Sequence, residues 1–241
     1  MNETQVIGQI VADDYRTASV FKDLGIDFCC NGNRTIKEVS EEANVEASEL
    51  ISKLDKVLNV SEKEVSDFKS WPLDLLVDYV ERRHHRYVDR KILEIKPYLD
   101  KIERVHGGRH PELTEINKLF TASAGELTVH MKKEEFILFP FVRKLAKIKE
   151  ENTFLEKPGF GTVQNPVAMM REDHDHEGER FRQIAALSNN YTVPDDGCNT
   201  YRVTYGLLKE FEDDLHLHIH LENNIIFPKA IALERELSAI N

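Results

Sequence analysis

A short motif that occurs twice limits what this chain can become. The segment HMKKEEFILFP begins at His130, and HIHLENNIIFP begins at His218, 88 residues later. Aligned, the copies share the His, a Glu four positions on, an Ile three beyond that, and a closing Phe-Pro. On a helix, positions i and i+4 stack on one face, so each copy presents an imidazole and a carboxylate to a common point. Each copy is therefore a metal-ligand pair.

The 241 residues, 41% of them hydrophobic, are enough to bury a sizeable core in one large or two modest domains. No apolar run approaches the ~20 residues needed to cross a bilayer. The N-terminus MNETQVIGQIVADD has neither the basic nor the apolar region of a signal peptide, so a cytoplasmic protein without membrane contact is expected. A formal charge of -11 disfavours the phosphate-tracking surface that nucleic-acid binding needs. Ten His against three Cys, with Cys29 and Cys30 adjacent, leave no disulfide framework, which agrees with a reducing compartment.

The first sixty or so residues read as short helices, with Gly25 as a helix stop and Thr35 and Glu38 as a capping box. Two short helices joined by the turn residues Asn31-Gly32-Asn33 suggest a helix-turn-helix. However, from Thr35 to Leu58 six acidic residues face three lysines, and a DNA-reading helix would be repelled. The boundary is expected in NVSEKEVSDFKS, giving a small helical domain at 1–62 and a second domain at 70–241. There Pro72 suits a helix start, Gly107-Gly108 a helix stop, and Pro97 and Pro140 are expected to kink or interrupt their helices. Further helices are expected from about Val163 and from about Asn199. The class is thus all-α, with a four-helix bundle after a small helical N-terminal domain.

Each half of the bundle repeats one plan: a helix with a His, then a helix with the His-x-x-x-Glu pair. His85 and His174 are 89 residues apart, close to the offset of the motif itself. Four His (His85, His130, His174 and His218) and two Glu (Glu134 and Glu222) would converge on the interior. Imidazoles bind borderline metals and paired carboxylates can bridge two cations, while helices without thiolates argue against a structural zinc. Buried carboxylates also make better physical sense with metal than without. Helical periodicity favours His84 and the repeat offset favours His85, so that position stays open on spacing alone. His176, His216 and His220 fall off the ligand phase and are expected in solvent. Glu126 and Asp214, one turn before the two motif histidines, are candidates to orient imidazoles or to line a polar route for ions.

The two motifs with their Phe-Pro endings, and the Asp-His-Asp around His174, resemble the hemerythrin-type HHE cation-binding domain. Asp27 to Cys30, DFCC, resembles the short ScdA-type domain that precedes it in the RIC (repair of iron centres) family. In that register the second His of the pair, His85, is the ligand. The resemblance implies a hemerythrin-like bundle holding two non-haem iron ions joined by an oxo bridge. It further implies a protein that repairs iron–sulfur clusters damaged by nitric oxide or oxidants by donating iron. Its partners would then be damaged or apo iron–sulfur proteins and diatomics (NO, O2), and a homodimer is compatible with it. Cys29 and Cys30 would relay iron or electrons. Alternatives are a nitric-oxide-reducing enzyme and an oxygen sensor or carrier, although two His per iron departs from the oxygen-carrying hemerythrins.

Overall fold

The computed structural model describes residues 1–59 and 67–240. The expected domain boundary, between 62 and 70, lies mainly outside those described residues. Among them the secondary structure is helical, apart from an isolated bridge between Val6 and Thr35. Among the described residues no helix is long and apolar enough to cross a membrane.

The N-terminal unit comprises α1 (Ile7–Asp13), α2 (Ala18–Asp23), α3 (Ile36–Glu42) and α4 (Ala47–Leu58). Gly25 ends α2 in the left-handed region (φ 67), and Thr35 and Glu38 form the capping box on α3. The apolar faces of these helices, including Ile7, Phe21, Ile36, Leu50 and Leu54, are fully buried and continuous with one end of the bundle core. Close packing needs glycine here: a Cβ on Gly8 would meet Asn224 Oδ1 at 2.6 Å and the Gly32 carbonyl at 2.8 Å.

Four long rods build the bundle, and three of them carry a π-helical turn. The first rod is α5 (Leu73–Tyr79), a π-turn (Val80–His85) and α6 (Arg86–His106). The second is α7 (Glu112–Lys133), a π-turn (Glu134–Leu138) and α8 (Phe139–Glu151); the third is α9 (Gln164–Leu187). The fourth is α10 (Asn199–Leu221), a π-turn (Glu222–Ile226) and α11 (Phe227–Ile240). Helix α6 packs on α7 and α10, and α7 on α9.

The prolines act differently from the expectation. Pro140 does not interrupt its rod. A proline lacks the N–H for an i→i−4 bond and crowds the carbonyl four residues back, so the helix widens by one residue instead. The N–H of Phe139 reaches the carbonyl of Glu134, and the N–H of Phe227 that of Glu222. The Phe-Pro that closes each motif thus accompanies a π-turn beginning at the motif Glu. Pro97 lies inside an unbroken α6, on its exposed side, where water can satisfy the carbonyl it leaves free.

Two apolar cores fill the bundle, one around Phe120, Phe181 and Phe211, the other around Phe139, Phe227 and Leu145. Along every rod the sequence passes from one core to the other through a histidine. Between Val80 and Tyr87 stand His84 and His85; between Leu127 and Leu138, His130 and Glu134; between Met170 and Phe181, His174; between Leu215 and Ile225, His218 and Glu222. A buried polar layer therefore crosses an otherwise apolar interior.

Candidate metal centre

The π-turns place His85, Glu134 and Glu222 in this layer, and α7, α9 and α10 place His130, His174 and His218 there. Two groups result, His85, Glu134, His218 and Glu222 in one and His130, Glu134, His174 and Glu222 in the other, each with ligand atoms within 4.8 Å of one another. The two carboxylates belong to both groups. Glu134 Oε2 lies 3.3 Å from His85 Nε2 and 3.4 Å from His130 Nε2. Glu222 lies 3.1 Å from the Nε2 of both His174 and His218. Neither carboxylate has any solvent exposure. His84 is equally buried but outside both groups; its Nδ1 is 3.0 Å from Asp214 and its ring stacks on His218. The geometry thus separates the adjacent pair in favour of His85.

Three of the four imidazoles are oriented from behind, by residues that sequence reasoning missed. His85 Nδ1 meets Glu135 at 3.1 Å and His130 Nδ1 meets Asp173 at 3.1 Å. His174 Nδ1 meets Asn223 Oδ1 at 3.0 Å, and the same amide donates from Nδ2 to the Cys29 carbonyl. A carbonyl only accepts, so the Asn223 amide is fixed with Oδ1 toward His174. His174 and His130 therefore carry their protons on Nδ1 and turn Nε2 lone pairs inward. Those two Nε2 atoms face each other at 3.1 Å. Two lone pairs at this distance call for a cation or a proton between them, and neutral imidazole beside shared carboxylates suits iron.

Electrostatics agrees. Burial alone would raise the Glu222 carboxyl, but the neighbouring His218, and after it His174, outweigh this and hold it well below the ordinary range. Burial opposes protonation of His130, yet Glu134 and Asp173 lift it to about 10. Glu134, Glu222 and His130 thus stay charged in a dry interior, which is costly unless the charges are mutually compensated.

Comparison with known families covers almost the whole chain. Residues 76–230 match the Hemerythrin HHE cation binding domain, and residues 3–58 the ScdA_N domain of unknown function (DUF542). The iron-sulfur cluster repair protein YtfE of Yersinia pseudotuberculosis is 31% identical over 228 residues, covering 94% of this chain and 96% of that protein. The iron-sulfur cluster repair protein ScdA of Staphylococcus haemolyticus is 29% identical, covering 93% and 96%. The chain belongs to the RIC family.

In this RIC-family chain the hemerythrin-type domain implies iron binding, and its two His/Glu groups are able to hold metal. The N-terminal unit seals one side. The carbonyls of Phe28 and Cys29 receive the amides of Asn224 and Asn223, the two residues after Glu222. Phe28 and Tyr15 then pack on His220, and Phe28 on His216. His220 is therefore fully buried and His216 partly so, rather than solvated: the phase expected for an isolated bundle ignores the helical unit laid over that face. His176 is exposed, as expected.

Asp27 organises the cysteine loop. Its Oδ1 accepts from the backbone N–H of Cys29 and Cys30, and the Cys29 thiol lies 3.3 Å from the same atom. Cys29 is buried, not accessible; the neighbouring Cys30 and then burial push its thiol well up, so it is held protonated. Cys30 is half-buried, with its Sγ 3.9 Å from Cys29 Sγ and 3.4 Å from the carbonyl of His174. Gly178 makes room, since a Cβ there would stand 3.1 Å from that sulfur.

Glu126 and Asp214 do not orient the motif histidines. Glu126 pairs with Arg180 at 2.8 Å, and Asp214 with His84 and Arg83. Glu126 does line a cavity of about 420 Å³ beside His130, with Asp173 and Glu177.

Proposed function

We propose that this RIC-family protein binds two non-haem irons, bridged by Glu134, Glu222 and an oxo group, and repairs damaged iron–sulfur clusters by supplying iron. His85 and His218 would serve one iron, His130 and His174 the other. The observation that carries this reading is the pair of inward Nε2 atoms of His130 and His174, both fixed as lone-pair donors by Asp173 and Asn223. The names of the relatives, iron-sulfur cluster repair proteins, support the choice of task.

Iron is cargo here as well as cofactor. When the ion leaves, the array it neutralised needs replacement charge, and His130, lifted to about 10 in the metal-free site, takes a proton at Nε2. That proton would occupy the lone pair, so proton and metal compete for it and iron is held less tightly as pH falls. Cys30, close to the backbone of His174, is the thiol placed to receive iron or electrons on the way out, with Cys29 behind it. The clients are damaged or apo iron–sulfur proteins in the cytoplasm. A second reading, turnover of nitric oxide, is favoured by one feature, the cavity that brings small molecules to His130.

The test is iron content and delivery. Wild-type protein should bind about two irons per chain and restore activity to an apo iron–sulfur enzyme. Glu134→Leu and Glu222→Leu should each bind at most one iron and lose at least ten-fold in delivery rate. Two irons retained in both variants would refute the shared-carboxylate assignment, and nitrous oxide release without iron transfer would favour the second reading.

A further inference from the structure

A third cysteine stands apart from the metal layer. Cys198 is exposed at the N-cap of α10, 20 residues before His218, or roughly 30 Å along the helix. It is not alone there. His106, the last residue of α6, presents Nε2 to its sulfur at 3.2 Å. That imidazole is 5% exposed, set edge-on against Tyr201, and its Nδ1 has no partner. Nothing therefore pins the ring proton on Nδ1. The proton can sit on Nε2 and point at the sulfur, which stabilises a thiolate without burying an imidazolium.

The other charged groups nearby are already engaged with one another. His110 lies 2.9 Å from Asp196 and 3.2 Å from Glu112, and Arg109 lies 2.7 Å from Asp196. Each of these carboxylates thus has a partner of its own. The first-turn amide of Tyr201, then His106, bring the thiol down to about 7. The contrast with Cys29, buried and held protonated, is large.

We propose that the Cys198–His106 pair is a site of reversible S-thiolation by low-molecular-weight disulfides. The Cys198 thiolate attacks one sulfur of the small disulfide. The S–S bond of that molecule breaks, a mixed disulfide forms on Cys198, and the second half leaves as a thiolate that takes a proton from water. One disulfide is consumed and one is made, so no other oxidant is required. The site shares no ligand with the metal layer and does not depend on the function proposed for it.

The experiment uses the full-length, iron-loaded protein with oxidised glutathione, and with iodoacetamide as a second probe, read by peptide mass spectrometry across pH 5.5–9.5. At pH 7, Cys198 should react at least ten-fold faster than Cys29 or Cys30. Its alkylation should be half-maximal near pH 7, because a thiol titrating there is half ionised while an ordinary thiol near ~8.5 is only ~3% ionised. His106→Phe should move that midpoint up by at least one pH unit and slow the reaction at pH 7 several-fold, with iron content unchanged. A wild-type midpoint at or above 8.5, or equal reactivity of all three cysteines, would overturn the proposal whether or not the His106 variant folds.

Discussion

The two copies of His-x-x-x-Glu are alike in sequence and differ in what covers them. Beside His130 the protein leaves a cavity of about 420 Å³ lined by Glu126, Asp173 and Glu177, while Glu134 stays fully buried. Around His218 and Glu222 the N-terminal unit closes the same kind of face with Phe28, Tyr15 and two backbone carbonyls. The support behind the imidazoles differs accordingly. His130 has a carboxylate behind it, whereas His218 Nδ1 has no partner. A duplicated ligand motif has thus been given one accessible half and one sealed half, and the difference lies in residues outside the motif.

The largest test of that contrast removes the cover. Phe28 is 2% exposed and packs on both His216 and His220. Phe28→Ala should cost about 3–5 kcal/mol in urea unfolding of the metal-free protein, as is usual for a buried aromatic. Iron content should stay near two, because no ligand is touched, while Cys29 becomes open to alkylation. A loss under about 1 kcal/mol would mean that the sealed half is not held by this packing.

A smaller effect should come from the link between cover and layer. Asn223 ties the Cys29 carbonyl to His174 through one amide. Asn223→Ala frees the ring of His174 and should weaken iron binding about 10–100-fold, the usual cost of losing a group that orients a ligand. The loss should fall on one iron of the two in a competitive chelation titration. Equal weakening of both irons would show that His174 is not confined to one position.

The sequence made much of the layer legible because its residues obey local rules. The i, i+4 spacing, the two offsets of 88 and 89 residues and the family register together marked all six residues that the structure brings together. Capping of α3 by Thr35 and the stop at Gly25 were equally local. What depends on neighbouring rods was not legible. Asp173 reaches His130 from α9, and Glu135 reaches His85 from the second rod, so neither shows as a spacing within one helix. One signal was available: after the shared Glu, the first copy continues Glu135-Phe136 and the second Asn223-Asn224. That difference marks where the N-terminal unit docks. His220 was misplaced for the same reason, since its cover comes from residues almost 200 positions earlier. Pro140 was misread because a proline inside a helix can be absorbed by a π-turn as well as end it.

A separate test distinguishes the halves by pH, in metal-free protein. Burial, reinforced by Lys22, holds His216 down at about 4, and burial holds His220 at about 3. Unfolded, both return to ~6.5 and bind protons that the native state refuses. Their contribution is therefore complete above pH 6.5 and is lost as pH falls toward 4, by at most ~1.4 kcal/mol per pH unit for each group. His130 has the opposite sign. Its folded value of about 10 lies above the unfolded one, so its contribution is complete below pH 6.5 and is lost as pH rises through about 10. The sealed half should thus set the acid limb of stability and the open half the alkaline limb. Urea midpoints of the metal-free protein between pH 4.5 and 9.5 should show both limbs. In Phe28→Ala, where water reaches the buried His220, the acid limb should flatten while the alkaline limb keeps its slope. If both limbs flatten together, the two halves titrate as one unit and the contrast between them is lost.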